Sequence, residues 1–255
     1  MNSGEWIREE FSVTGLSVDA VYHEQDVREI FMPLLRLWTE RQKKLGRRMF
    51  IFMAAPPGCG KSTLAAFLEK LSREPDAEGV LTPVQAAGMD GFHHTAAYLK
   101  SHTDIRDGRT ILLDDIKGAP QTFDTEKLAG KLREASLSEK LCWPVYSRTE
   151  HDVLEDVIEI KEKILIVEGN YLLLNCRPWK EIAREFCDYG IYLYADPAVL
   201  KKRLIERKVA SGHSEKDAAD FYEFSDGRNA SLVLEDRPET DLVLEVRDGR
   251  YIRRN

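Results

Sequence analysis

Absences narrow this chain before any motif does. Cysteine is scarce, with 4 in 255 residues, and Cys59, Cys142, Cys176 and Cys187 show no Cys-x-x-Cys spacing. That excludes a disulfide-dense scaffold and the common cysteine metal frameworks, and it suits a reducing compartment. No apolar run approaches the ~20 residues that a membrane-spanning helix needs. The N-terminus, Met1 to Glu10, has no basic start leading into an apolar core, so no export leader is read there. Positive charge is also short: 37 lysines and arginines against 44 aspartates and glutamates leave a formal net charge of -7. A broad nucleic-acid surface is therefore excluded, although a local basic pocket can sit inside an acidic protein. Internal repeats and low-complexity linkers are missing as well. Together these absences predict a cytoplasmic protein with neither membrane nor nucleic acid as partner.

What is present starts with length. A chain of 255 residues with 43% hydrophobic content fits one α/β domain: an N-terminal extension over 1–46 and a core over 47–255. The core is organised by Phe50-Ile51-Phe52-Met53-Ala54, an apolar run that feeds into Ala55-Pro56-Pro57-Gly58-Cys59-Gly60-Lys61-Ser62-Thr63. This reads as a strand, a phosphate-cradling loop and a helix start. Gly58 and Gly60 let successive backbone NH groups turn inward toward an anion, and the helix beginning near Lys61 adds its free NH groups and positive dipole end. Lys61 would reach the outer phosphates of a nucleotide, and the Ser62 hydroxyl would hold Mg2+. The motif departs from its usual form at Ala55, where glycine is standard. Pro56 and Pro57 donate no NH, so the cradle must come from Gly58 onward. Cys59 at a helix N-terminus raises an oxidation-sensitive thiol as one reading and simple loop filling as the other.

Acidic residues then follow two apolar strands. Val80 to Met89 reads as a strand ending at Asp90-Gly91-Phe92, and Ile164 to Val167 as a buried strand ending at Glu168-Gly169-Asn170. The carboxyl ends of strands are where open α/β sheets bind ligands. Asp90 reads equally well as a catalytic carboxylate and as a helix cap. Glu168 is the expected second Mg2+ ligand, with a surface carboxylate as the alternative.

Other stretches are coarser. Weak alternation before Val21 suggests a strand pair or arm, and a helical period runs from His23 to Leu45 with an interruption expected at Pro33. Residues 115–124 form a shaped loop, with Asp124 or Thr125 capping the next helix. Lys201, Lys202, Arg203, Arg207 and Lys208 are the densest basic cluster, placed on a helix opened by Asp196-Pro197. In a phosphate-transferring enzyme, a segment at about 201–224 is a lid whose arginines neutralise charge; otherwise it is an exposed face paired with Glu206 and Glu215. Arg203 and Arg207 sit four apart on one face, which favours those two. Asp226 to Asn229 is expected to break the helix, and Asp248-Gly249 to turn a last strand into a hairpin.

The set Gly58 to Thr63, Asp90-Gly91-Phe92, Lys117 to Asp124, Pro144-Val145-Tyr146-Ser147 and Val167-Glu168-Gly169 resembles the phosphoribulokinase, uridine kinase and bacterial pantothenate kinase superfamily over residues 49–246. The resemblance implies a P-loop NTPase fold with an open, mainly parallel five-stranded sheet flanked by helices, a helical lid and, here, an N-terminal helical extension. It implies ATP and Mg2+ as cofactors and a small-molecule alcohol as acceptor, a nucleoside, a sugar or a pantothenate-like compound, and the Ser-Asp-x-x-Asn segment at Ser225 to Asn229 resembles nucleoside-kinase-like or sugar-kinase-like members. Asp90 would take the proton from the acceptor hydroxyl, with Lys61, Arg203 and Arg207 acting on the phosphates and Ser62 and Glu168 near the metal. Phe92, Lys117, Tyr146, Arg148, His151 and Asn170 would contact the acceptor. An arginine at 148, where pantothenate kinases carry histidine, implies an acceptor with an anionic group or several hydroxyls. Superfamily members are often dimers, so a homodimer is an expectation. Two rivals remain: a GTPase-type switch, which lacks its Asn-Lys-x-Asp run here, and a non-catalytic nucleotide-binding regulator.

Overall fold

The computed structural model describes residues 5–13, 16–236 and 239–254. The chain enters through a hairpin of β1 (Trp6–Val13) and β2 (Leu16–His23), the strand pair that the alternation predicts. A helical stretch follows, made of α1 (Glu24–Asp26), a π-turn over Val27–Phe31 and α2 (Met32–Leu45). Pro33 does not interrupt it. It lies in the first turn of α2, just after a wide turn closed by the Met32 NH on the Val27 carbonyl, so its missing NH breaks no helical ladder.

The core then alternates strand and helix. β3 (Met49–Ala54) leads through the glycine loop to α3 (Lys61–Leu71), and β4 (Val84–Gly88) leads through a 3-10 turn, Met89–Phe92, to α4 (Ala96–Ser101). The mixed stretch that follows is a small hairpin, β5 (Thr103–Arg106) and β6 (Arg109–Leu112), turned at Asp107-Gly108. Next come α5 (Thr125–Leu137), capped by Asp124, and a second hairpin of β7 (Leu141–Ser147) and β8 (Asp152–Ile160). After β9 (Ile164–Gly169), α6 (Trp179–Phe186) and β10 (Tyr189–Tyr194), the chain forms α7 (Pro197–Ala210), capped by Asp196, and α8 (Glu215–Phe221).

The expected break at Asp226-Gly227 is absent. α8 instead widens into a π-turn, Tyr222–Asp226, and runs on as α9 (Gly227–Glu235). Gly227 keeps helical dihedrals, and its role is steric: a β-carbon there would meet the Tyr222 ring and carbonyl at 2.9 Å. β11 (Leu242–Arg247) and β12 (Arg250–Arg254) close the chain as the Asp-Gly hairpin.

Six strands form the main sheet in the order β12-β11-β10-β3-β9-β4. Five are mutually parallel, as expected, and the hairpin adds antiparallel β12 at one edge. Side chains alternate across it. Met49, Ile51, Met53, Ile164, Ile166, Ile191 and Leu193 face α2 and α3, while Phe50, Phe52, Leu165, Val167 and Tyr192 face α5 and α6. Near-continuous apolar strands are what a sheet covered on both faces requires. Trp38, predicted to be packing, is fully buried edge-on to Tyr189. No helix among the described residues is long and apolar enough to cross a membrane.

Candidate active site

The register of the three adjacent strands places the chemistry. Met53 pairs with Glu168, and Gly88 pairs with Glu168 from the other side, so β3, β9 and β4 end level with one another. The glycine loop, Glu168 and the Asp90 turn therefore leave one edge side by side. Gly58 and Gly60 take positive φ of 81° and 93°, conformations in which a side chain is strained. Gly60 caps α3 without any side-chain bond, so the first NH groups of the helix stay available to an outside acceptor. Cys59 is 1% exposed, and burial pushes its thiol up to about 12, with Lys61 and Arg203 opposing. Loop filling is thus the role the structure gives it, and the oxidation-sensitive reading is corrected. Thr63 turns back on the loop, its hydroxyl donating to the Gly60 carbonyl at 2.8 Å.

At the start of α3, Ser62 Oγ donates to Glu168 Oε1 at 2.8 Å, and Lys61 Nζ lies 3.9 Å from Glu168 Oε2. Burial raises the Glu168 carboxyl above the ordinary glutamate range and Asp90 adds to the rise, while Lys61 and Ser62 oppose it. A hydroxyl and a buried carboxylate are hard oxygen donors whose charge a divalent cation would stabilise, so Mg2+ fits this corner. Among the described residues, no group of three or more His, Cys, Asp or Glu could hold an ion alone. A cation here would complete its shell with phosphate oxygens and water.

Asp90 sits in the 3-10 turn and not on the strand, and it caps no helix: the turn begins at Gly88 without a side-chain bond. Among the described residues, its carboxylate makes no hydrogen bond or ion pair. It faces a cavity of 200 Å³ that Lys61, His93, Lys117, Tyr146, Arg148 and Asn170 also line. Arg207, Asp226 and Asn229 reach the same cavity from α7, the π-turn and α9. A second recess, of 440 Å³, lies between α3 and the β7–β8 hairpin and shares Asp90, Tyr146 and Arg148 with the first. Ser62 and Glu168 line that second recess.

Not every predicted residue converges. Phe92 is fully buried, edge-on to Trp143 at 4.9 Å, and supports the Asp90 turn from the core. His151 is exposed on the β7–β8 turn at positive φ, and it is its carbonyl that enters the network, accepting from Lys117 Nζ at 2.9 Å. Arg203 donates to the Gly58 carbonyl at 3.2 Å and so touches the phosphate loop itself. Among the cavity residues outside the predicted site set are His93, Asp226 and Asn229. The first neighbours Asp90 in sequence and is held by its carbonyl through Nδ1 at 2.9 Å. The other two depend on the π-turn, which no periodicity announced.

Comparison with known proteins agrees with this geometry. Residues 50–252 match the model of the Phosphoribulokinase / Uridine kinase family. The chain belongs to that family. Within it, "Uncharacterized protein YggC" of Escherichia coli (strain K12) is 38% identical over 244 residues, covering 95% of this chain and 97% of the relative. A Schizosaccharomyces pombe protein named as a candidate uridine kinase is 31% identical over 205 residues, covering 78% and 83%. A crystal structure described as a candidate fructose transport system kinase, from Silicibacter sp. TM1040, superposes with TM-score 0.67 at 29% identity, covering 77% of this chain and 89% of that one. The phosphoribulokinase/uridine kinase family member described here is therefore a P-loop kinase of small metabolites, an enzyme with the α/β architecture expected of it.

Proposed function

We propose that this kinase moves the γ-phosphoryl group of ATP to an alcohol group of a small metabolite. The observation that carries the reading is a single cavity lined by both Lys61 of the phosphate loop and Asp90. Phosphoryl transfer asks little covalent chemistry of a protein, so positioning and charge supply most of the rate. Apart from Cys59, whose NH donates to the Pro56 carbonyl at 3.3 Å, the NH groups from Gly58 to Thr63 would seat the phosphates, with Lys61 at the outer ones. Mg2+, held by Ser62 and Glu168 together with nucleotide oxygens, would neutralise charge on the phosphates. Asp90 would orient the acceptor hydroxyl and take its proton, a step worth roughly 10²- to 10⁴-fold. Arg203 and Arg207, on one face of α7, would offset charge on the moving group, with α7 and α8 acting as a lid. Lys117, Tyr146, Arg148 and Asn170 would hold the rest of the acceptor.

A non-catalytic regulator would need the loop but neither Asp90 nor a second set of polar walls. The reading is tested by incubating the protein and Mg-ATP, labelled in the terminal phosphate, with a panel of alcohols. Label appearing in an organic product that depends on Lys61 supports it. Release of label only as inorganic phosphate, with every alcohol tried and at the same rate without alcohol, would contradict it.

A further inference from the structure

We infer that the chain carries a second anion site, for a small organic polyphosphate, at the end of the sheet opposite the phosphate loop. The site does not depend on the phosphotransfer reading, and no residue lining it lines either recess of the active site. Arg47 and Arg48 run directly into β3, and Lys161 and Lys163 lead into β9. Those two strands, six residues each, end at the phosphate loop and at Glu168-Gly169, about 20 Å away in extended chain.

The C-terminal ends of α2 and α5 and the turn before β9 border a cavity of about 720 Å³, within the size range of small-molecule sites. Its cationic lining is Lys43, Arg47, Arg48, Lys140, Lys161 and Lys163, and Glu139 is the single carboxylate among the described lining residues. The whole chain carries a formal net charge of -7, so this wall runs against the sign of the molecule.

Some of the charge is already spent. Arg47 pairs with Asp188 at 2.7 Å, and Lys140 approaches Glu159 at 3.5 Å in an exposed pair. Glu162, which stands between the two lysines, turns its carboxylate to Arg73 at 3.3 Å and gives its carbonyl to Arg48. Lys43, Arg48, Lys161 and Lys163 form no ion pair with a carboxylate among the described residues.

Arg48 separates this cavity from an ordinary solvated face. It is 8% exposed, and its guanidinium meets backbone carbonyls: Nε donates to Glu162 at 2.9 Å, Nη1 to Ala135 and to Ser138 at 2.7 Å, and Nη2 to Glu139 at 2.6 Å. Three of those carbonyls end α5 or follow it, so the side chain caps that helix. Carbonyls satisfy its NH groups and leave its charge uncompensated, and burial pulls the guanidinium below its ordinary pKa. The ends of α2 and α5 each act as about half a negative charge; together with Glu139 they leave about two positive charges in excess.

A ligand bearing two or more negative charges is stabilised by that excess. Ammonium groups are compact point charges that suit phosphate oxygens, which accept from several directions. Leu137, 87% exposed, and Ala135 add apolar surface to the same wall, against which a carbon skeleton can lie. Two phosphates on a sugar or nucleoside frame supply both features.

The test loads the protein with one equivalent of Mg-ADP to fill the phosphate loop, then titrates it with inorganic pyrophosphate, fructose 1,6-bisphosphate and citrate by calorimetry. Replacing Arg48 would confuse binding with the capping of α5, whereas Lys161 and Lys163 are exposed. One equivalent of pyrophosphate should bind, and in Lys161→Met/Lys163→Met its Kd should rise roughly tenfold or more while Mg-ADP affinity moves less than about twofold. ADP titrated into the ligand-free protein separates the sources. A second equivalent of ADP that the double variant loses makes the occupant a nucleotide, whereas fructose 1,6-bisphosphate bound more tightly than pyrophosphate makes it a sugar bisphosphate. A pyrophosphate Kd weaker than millimolar, binding undiminished in the double variant, or citrate bound as tightly as pyrophosphate would each overturn the inference. Because the loop is already filled, none of these outcomes depends on whether phosphate is transferred to an alcohol.

Discussion

Cys59 shows how a residue's surroundings outweigh its type. It sits beside a helix N-terminus and two cations, a setting that ordinarily activates a thiol, yet burial wins and raises its pKa to about 12. At neutral pH it should therefore stay unmodified under iodoacetamide, whereas the exposed Cys142 and Cys176 label first. Peptide mass spectrometry reads this directly, and early labelling of Cys59 would contradict it. His93 carries a pH consequence. Burial holds its imidazole below the ordinary value, so the unfolded chain takes up a proton that the folded chain refuses. Its contribution to stability is complete above the unfolded pKa of about 6.5 and is lost as pH falls below it. Melting temperature should fall more steeply from about pH 7 to pH 5 in the wild type than in His93→Gln; equal slopes would count against this. Contiguous chemistry was the legible kind: the Gly58 to Thr63 loop and the acids after two apolar runs could be read because each is local in sequence. His151 was misplaced because a turn residue at positive φ shows its carbonyl, and not its ring, to the site.

Elements explain why the Asp90 turn holds its position. Loop 117–124 docks on it through the Asp124 NH to the Phe92 carbonyl at 2.7 Å and the His94 NH to the Thr122 carbonyl at 2.9 Å. On the other side β7 crosses so closely that a β-carbon at Gly91 would lie 2.1 Å from the Pro144 carbonyl oxygen. Gly91→Ala must displace backbone against backbone, and a loss of roughly 2–4 kcal/mol is expected in urea unfolding. A loss below about half a kcal/mol would show that β7 yields freely. The helical stretch from α8 to α9 was less legible for a related reason. A glycine following Asp226 suggests a stop, but here it is small so that Tyr222 can fold over the π-turn. That turn brings Asp226 and Asn229 to the cavity. Hydrophobic periodicity locates strands and helices, and it is blind to one inserted residue per turn.

Across the whole molecule, the two ends of the chain are tied beneath the phosphate loop. Asp26, 2% exposed, receives the Arg250 guanidinium at 2.6 Å and the Tyr251 NH at 2.9 Å, while Tyr22, Phe31, Phe67 and Tyr251 pack as one aromatic group under α3. The N-terminal extension is thus part of the core that seats the loop. Asp26→Asn should cost roughly 1–3 kcal/mol, less than a fully buried pair because Arg250 remains partly open to water. Unchanged unfolding would show the tie to be incidental. The parallel sheet and its two apolar faces could be read from strand composition. The meeting of Asp90, Glu168 and Lys61 at one edge depended on register, which composition does not give. That meeting is the central claim, and Asp90→Asn tests it most directly in one experiment: Mg-ATP affinity by calorimetry beside phosphoryl transfer to the acceptor under single-turnover conditions. Nucleotide affinity should stay within about twofold while the transfer rate falls roughly 10²-fold or more; transfer at the wild-type rate would contradict the account.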